Sequence, residues 1–377
     1  MTRTAVQLDD ARQPGDGELD DALSQLFLLA LHDPQRAFKL ADATVLRARL
    51  DGDGLRLARA LSIKSGICLH QGLGEIAIDT AHLAVRLTEA GGVNRDRVDA
   101  LGAFAVALSF VCAHEQALHI IDQAQCFDPA EIDRGWLSFR LGIILLHARQ
   151  FKEAADAFEL AGIYLRGDPR SPFAWRWQVS CQIALGNFSK ARECLNYAKA
   201  CSDAFDRSNY LPHIIAATAE LGAAENHIES TIDLMEEYRL TLERVPLQMV
   251  CAKIACAGAL FRHGDNRKSL TMLRDIDKYT SLLGSARRLE ILNLMRQLSN
   301  AGTVYIDQEV IEYDIKKTES VLMELQHSAK LKAIQISIDL LEARLISADS
   351  FETASQINIE LAGLKDDLHK FGTAYVQ

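Results

Sequence analysis

The sequence predicts an all-α protein, an array of antiparallel helix pairs, and three observations carry the prediction. Phe151–Ala161 reads FKEAADAFELA and Phe188–Ala198 reads FSKARECLNYA; both place Phe, then Ala three residues on, then a large apolar residue, then Ala again. Each follows an apolar stretch of helical length, Trp136–Ala148 and Phe173–Gly186. The register Ala then recurs along the chain at Ala37, Ala77, Ala117, Ala154 and Ala191, and the series continues at Ile228 and Ser269, in steps of 37 to 41 residues. Repetition at this period is the signature of a repeat architecture. Small residues seven apart, as at Ala154 and Ala161, share one helix face and let a neighbouring helix approach closely.

Taken in order, residues 1–19 are acidic and Gly-containing and are expected to be disordered. The first pair covers Leu19–Leu31 and Pro34–Leu50, with Asp33-Pro34 as N-cap and first helical residue. Asp51–Gly54 (DGDG) ends it. That cluster lacks the third ligand of a calcium loop, since Leu55 stands there, and reads as a turn. The second pair spans Leu55–His70 and Gly74–Glu89, closed by Ala90-Gly91-Gly92. The third spans Arg95–Cys112 and Glu115–Cys126, ended by Asp128-Pro129. The fourth spans Glu131–Ala148 and Phe151–Leu165, and the fifth Pro172–Leu185 and Phe188–Cys201. The weaker sixth covers Ser208–Leu221 and Glu225–Leu240. The seventh covers Pro246–His263 and Asn266–Leu283 and turns at Gly264. No Pro follows Pro246 and no Gly lies between Thr303 and Ala362, so long helices are expected there: Ala286–Asn300, Gln308–Ser347 as one helix or two, and Phe351–Phe371.

This pattern resembles the tetratricopeptide (TPR) repeat. Trp175 stands where the family's Trp falls, Gly142 at its small position, Gly186 at its turn, Phe158 at the aromatic of the second helix and Pro129 at the closing Pro. The match is best around Ala117, Ala154 and Ala191. Leu145 and Gln182 replace the family's Tyr, and the units are longer than the family's. The resemblance implies a right-handed superhelical solenoid of about eight to nine antiparallel helix pairs over residues 20–302. Residues 303–377 are then long helices that cap the solenoid or dimerise, with capping favoured because no strict heptad persists.

The chain has 377 residues, 49% hydrophobic and 24% charged, with a net charge of −10. The acidic balance argues against a nucleic-acid partner, which calls for a basic stripe. No apolar run long enough for a membrane helix and no secretory leader are visible, so a cytoplasmic location is expected. The eight Cys form no C-x-x-C pair and read as small buried residues of a reducing compartment. No metal site is expected from them.

Chemistry is hard to find. His114 and His119 are five apart and diverge around a helix, so they cannot share a zinc ion. No phosphate-binding glycine loop and no nucleophile–base signature appear. The chain reads as non-enzymatic, without cofactor.

The inner face is more informative. The resemblance implies that the first helix of each pair lines a concave groove. With the register Ala at position 20, the inward positions of the fourth unit are Trp136, Phe139, Arg140 and Ile143. Those of the fifth are Phe173, Arg176, Trp177 and Ser180, and those of the sixth Tyr210, His213, Ile214 and Ala217. The second unit contributes Arg59, Ser62, Ile63 and Gly66. Trp, Tyr and Arg dominate binding hot spots, because they combine large area with directed donors. Arg140 and Arg176 are expected to fork onto a carboxylate or stack on an aromatic. The Lys-and-Asn carboxylate clamp of chaperone-binding TPR domains is not here. The expected function is a protein–protein interaction adaptor or regulator that captures a peptide or protein segment in this groove. The alternative is a sensory module of a bacterial signalling system, on a general likeness to the TPR regions preceding diguanylate cyclase output domains and to Rap-type peptide-responsive regulators. No such output segment follows Gln377, so it is expected to signal through a separate protein or by homodimerisation of Gln308–Phe371.

Overall fold

The computed structural model describes residues 16–89, 94–277, 279, 284–301, 307–346 and 350–374. The described residues are all-helical, in 18 helices, with no strand among them. The helices are α1 (Asp16–His32), α2 (Pro34–Asp51), α3 (Gly54–His70), α4 (Gly74–Glu89), α5 (Asn94–Phe110), α6 (His114–Gln125), α7 (Glu131–His147), α8 (Phe151–Tyr164) and α9 (Ser171–Ala184). They continue as α10 (Phe188–Asp203), α11 (Arg207–Ala224), α12 (Ile228–Glu237), α13 (Arg239–Leu242), α14 (Pro246–Arg262), α15 (Asn266–Asp277), α16 (Gly284–Asn300), α17 (Gln308–Ile346) and α18 (Phe351–Ala374). α1 begins at Asp16, inside the stretch expected to be disordered; residues 1–15 and the expected Ala90-Gly91-Gly92 closure lie outside the described residues. The second helix of the sixth pair is broken at Tyr238 into α12 and α13. The long segment after Gln308 is one helix of 39 residues, about 58 Å long at 1.5 Å per residue.

The local signals act as their chemistry requires. Asp33 caps α2, its carboxylate accepting from the Arg36 amide at 3.0 Å, with Pro34 at the first turn. Asp53 of the DGDG turn caps α3 by accepting from the Leu55 amide at 2.8 Å. Six hairpins then share one turn. Gly72, Cys112, Arg149, Gly186, Asn226 and Gly264 all have positive φ, between 60° and 82°. In each, the following amide reaches back five residues to a helix carbonyl, as in Ala113 to Leu108, Gln150 to Leu145 and Asn187 to Gln182. This is the left-handed closure that satisfies the last carbonyls of a helix, and three of its six residues are not Gly.

Packing follows the Ala register. Ala37, Ala77, Ala117, Ala154 and Ala191 are completely buried, as are their partners Ala84, Ala124, Ala161 and Ala198. Where the register loses Ala, Ser269 is buried and its hydroxyl donates to the Ala257 carbonyl at 2.8 Å. Gly142 of α7 lies against the ring of Phe158 on α8; a Cβ there would fall 2.7 Å from Phe158 Cδ1. Each helix packs on its sequence neighbour, and α1, α3, α5, α7, α9 and α11 each also touch the next in that series. The series continues through α14 to α16. α17 packs first against α16 through Ile311 and Ile315, then returns to α4, α5 and α6. There Ala329, Ala333 and Ile336 join the core of the first three pairs. Ion pairs Lys332–Asp79 and Arg86–Asp339 flank that contact. α18 packs on the second half of α17 through Ile357 and Leu361.

Two substitutions test this account of the hairpins. Gly186→Ala, at φ 74°, is expected to cost about 1–2 kcal/mol, and Gly142→Ala about 1–3 kcal/mol by forcing Phe158 aside. Urea-unfolding midpoints of both variants against the wild type read these losses, and an unchanged midpoint for Gly142→Ala would remove the close-approach explanation.

Candidate functional site

The helices that touch in the α1-to-α16 series turn one face toward a common hollow of about 630 Å³. Its wall takes Phe27 and Leu31 from α1, Ser62, Ile63, Gly66 and His70 from α3, and Asp99, Ala103 and Val106 from α5. α7 contributes Trp136, Phe139, Arg140, Ile143 and His147, α9 Phe173 and Trp177, and α11 His213. Gln248 of α14, Leu289, Glu290 and Asn293 of α16 and Leu322 of α17 complete it. Because inward positions recur three and four residues apart, each helix contributes a narrow stripe of the wall.

Of the residues singled out by register, Trp136, Phe139, Arg140, Phe173, Trp177 and His213 meet at this wall. Ser62, Ile63 and Gly66 of the second pair join them, whereas Arg59 pairs with Asp20 and Ser24 instead. Arg176, Ser180 and Tyr210 lie behind the wall. Tyr210 is buried and donates its hydroxyl to the Pro169 carbonyl at 2.8 Å. Arg176 is fully buried and its guanidinium is occupied within the protein. Nε donates to Gln248 Oε1 at 2.6 Å, Nη1 to Ser180 Oγ at 2.7 Å, and Nη2 pairs with the Glu220 carboxylate. Ser180 in turn donates to Glu220 Oε2 at 2.6 Å. This network ties α9, α11 and α14 together. No donor of Arg176 faces the hollow to meet a ligand carboxylate; the expectation that it would is corrected by Glu220, whose place across α11 gives that cation its counter-ion.

Arg140 is used in a similar way. Its Nη1 donates to the Asp99 carbonyl at 2.9 Å and its Nη2 to Asp99 Oδ1 at 2.7 Å. Gly102 makes room for it, since a Cβ there would lie 2.6 Å from Arg140 Nη1. The stacking half of the expectation is met inside the protein: the Arg140 and Arg170 guanidinium carbons each lie 5.3 Å from the Trp136 ring, and that of Arg176 4.4 Å from Trp177. Trp136 is further stacked on Phe139 at 4.7 Å and met edge-on by Phe27 at 5.4 Å.

Burial keeps His213, His32 and His70 neutral. Burial pushes His213 down to about 3, with the Arg176 charge acting in the same direction and the Leu31 carbonyl opposing. Burial likewise lowers His32 and His70 to about 4. His213 Nε2 lies 2.8 Å from the Leu31 carbonyl, which can only accept, so Nε2 carries the proton and Nδ1 is left as an acceptor without a partner. That bond joins α1 to α11, and His32 packs against Phe173 and Tyr210 beside it.

One pairing escaped the sequence. Ser109 Oγ lies 3.0 Å from His147 Nδ1, across α5 and α7, but it also contacts the Val106 carbonyl at 2.8 Å. The single hydroxyl hydrogen goes to that carbonyl, so Ser109 accepts from His147, the reverse of a serine activated by a base. Burial raises the thiols of Cys68, Cys181, Cys194 and Cys256 to about 11–12, which keeps them protonated. Among the described residues no group of His, Cys, Asp or Glu could hold a metal ion, and no helix is long and apolar enough to cross a membrane.

No protein-family model matches the chain, and a search of curated proteins returned no match.

Two outcomes follow from the buried polar groups. Arg176→Ala should destabilise the fold by about 3–5 kcal/mol, because it strands the Glu220 carboxylate, whereas the paired change Arg176→Met/Glu220→Leu should cost much less; thermal or urea unfolding of the three variants decides it. Below their ordinary pKa of about 6.5 these three histidines take up protons only on unfolding, so stability present at neutral pH is lost as pH falls toward about 4. The pH dependence of the unfolding free energy near pH 5 should show about three protons from these groups, and about one fewer in His70→Gln.

Proposed function

We propose that this chain is a non-enzymatic adaptor or regulator, a right-handed superhelical solenoid of TPR-like pairs, that recognises an apolar segment of a protein partner at the hollow. The observation that carries the reading is the convergence of Trp136, Phe139, Phe173 and Trp177, from two successive pairs, on one concave wall. Aromatic side chains supply large, rigid contact area at low entropic cost, which is why they anchor interfaces. A hollow of about 630 Å³ takes a few large side chains of a short segment and is too small for a folded domain. The segment is apolar and carries no essential carboxylate, because Arg140 and Arg176 are already paired with Asp99 and Glu220.

A second reading, a sensory module whose output leaves through α17 and α18, is favoured by one observation. α17 contributes Leu322 to the hollow and continues to the ion pairs with Asp79 and Arg86, so one helix touches both the site and the far side of the array. Affinity capture from native lysate separates the readings. Ile143→Arg places a charge in the hollow wall; partner recovery is expected to fall at least about tenfold with the helical circular-dichroism signal unchanged. Recovery unaffected by Ile143→Arg but lost with Val321→Glu, on the exposed face of α17, would transfer the partner surface to the C-terminal helices.

A further inference from the structure

The geometry points to a second use of the hollow: it is a binding site for a free, uncharged, chiefly apolar small molecule carrying a carbonyl or hydroxyl group, which would occupy the same space as the partner segment and so regulate capture. The inference rests on the hollow being the binding face, as above, and adds the chemistry of a regulatory occupant.

Four observations carry it. The volume, about 630 Å³, falls in the range that holds a drug-sized molecule, roughly 300–1,000 Å³. The space is open where the backbone would allow a side chain: Gly66 lines the hollow, and a Cβ built on it meets nothing within 4 Å. A hollow lined by packed helices and left unfilled at a glycine is unusual in an interior that is otherwise close-packed.

Charge selects the occupant. Arg140 is held by Asp99 on one side and Trp136 on the other, so it brings no spare positive charge to an anion. His213 and His70 are neutral, and Trp136 and Trp177 already carry the protein's own guanidinium groups, two over Trp136 and one over Trp177, which disfavours a second cation on them. The other charged side chains of the lining are Arg149, which is exposed, and Glu290; an ion seated on the aromatic wall away from them would lose its hydration without a counter-ion, and that costs several kcal/mol.

The polar requirement is small but specific. Gln248, 1% exposed, spends its carbonyl oxygen on Arg176 Nε. Ser62 and His213, 5% and 6% exposed, each keep one polar atom unpartnered. A molecule with one carbonyl or hydroxyl among apolar atoms matches this wall. Unfilled polar groups in it favour such an occupant over a pure hydrocarbon.

The test uses the full-length chain and the uncharged fluorophore N-phenyl-1-naphthylamine, with the anionic 8-anilinonaphthalene-1-sulfonate as its charged counterpart. Trp136 and Trp177 line the hollow, so energy transfer from tryptophan reports arrival close to it, and Trp175, packed against Tyr197, is not part of the lining. The expected result is saturable binding of about one equivalent of the neutral probe, with the anionic probe at least about tenfold weaker. Gly66→Leu should weaken the neutral probe at least about tenfold and hold or raise the thermal midpoint, because Leu is the better helix former. Gly363→Leu, on α18 in equally open space, should leave binding unchanged. No saturable binding to the wild-type chain overturns the site whatever the variants do. Equal binding to Gly66→Leu and Gly363→Leu overturns its location, and anionic binding as tight as neutral overturns the chemistry. Loss of probe binding with partner capture intact removes the small-molecule site alone; probe binding with no capture removes the adaptor reading alone.

Discussion

Close approach of helices across small residues is the constraint on which the molecule depends. Nine alanines of the register are completely buried, and Gly142 lies directly against a phenyl ring. A larger residue at any of these points would push paired helices apart, and interiors packed at crystal-like density transmit such displacements to their neighbours. With the pairs held at this spacing, the first helices form a continuous series in which each touches the next. The inward stripes of that series then meet around one hollow. The site is thus a by-product of pair spacing rather than of any local loop.

The wall of the hollow shows how a chain can carry the residue types of a binding surface and still use most of them for itself. Arg140 and Arg176 are paired, one with Asp99 and one with Glu220, and both also cover tryptophan faces. The Arg176 network sits behind Trp177 and fixes α9 against α11 and α14. His213 and Leu31 then fasten α11 to α1. These bonds hold the aromatic wall in place, and the space in front of that wall is chiefly apolar. Rigid walls suit recognition, since little ordering entropy is lost when a ligand arrives.

α17 gives the array a feature that repeated pairs alone would lack. A helix of 39 residues starts beside α16, passes the hollow at Leu322 and ends on the core of the second and third pairs. Contacts with α16 and with α4, α5 and α6 in one rigid element bring distant pairs into one packed body. The ion pairs that flank this contact are at the surface and add little energy; the burial of Ala329, Ala333 and Ile336 is what holds the helix there.

The amino-acid pattern by itself determined that the chain is helical, where most helices begin and end, and which faces pack. Asp33-Pro34, the Ala register and the turn at Gly186 each state a local rule that a single helix or hairpin obeys without reference to the rest of the chain. The same register placed Trp136, Phe139, Arg140, Phe173, Trp177 and His213 on one side. Only the tertiary structure decided what those side chains do. The partners of Arg176 lie 44 and 72 residues away, at Glu220 and Gln248, and no periodicity links them to it. The return of α17 to α4, and the turn shared by Gly186 with Cys112 and Arg149, were equally out of reach: the first is a contact distant in sequence, and the second places non-Gly residues in a conformation their side chains resist. Helical periodicity tells which way a residue faces, but a charge is free or spent according to what the fold brings opposite it.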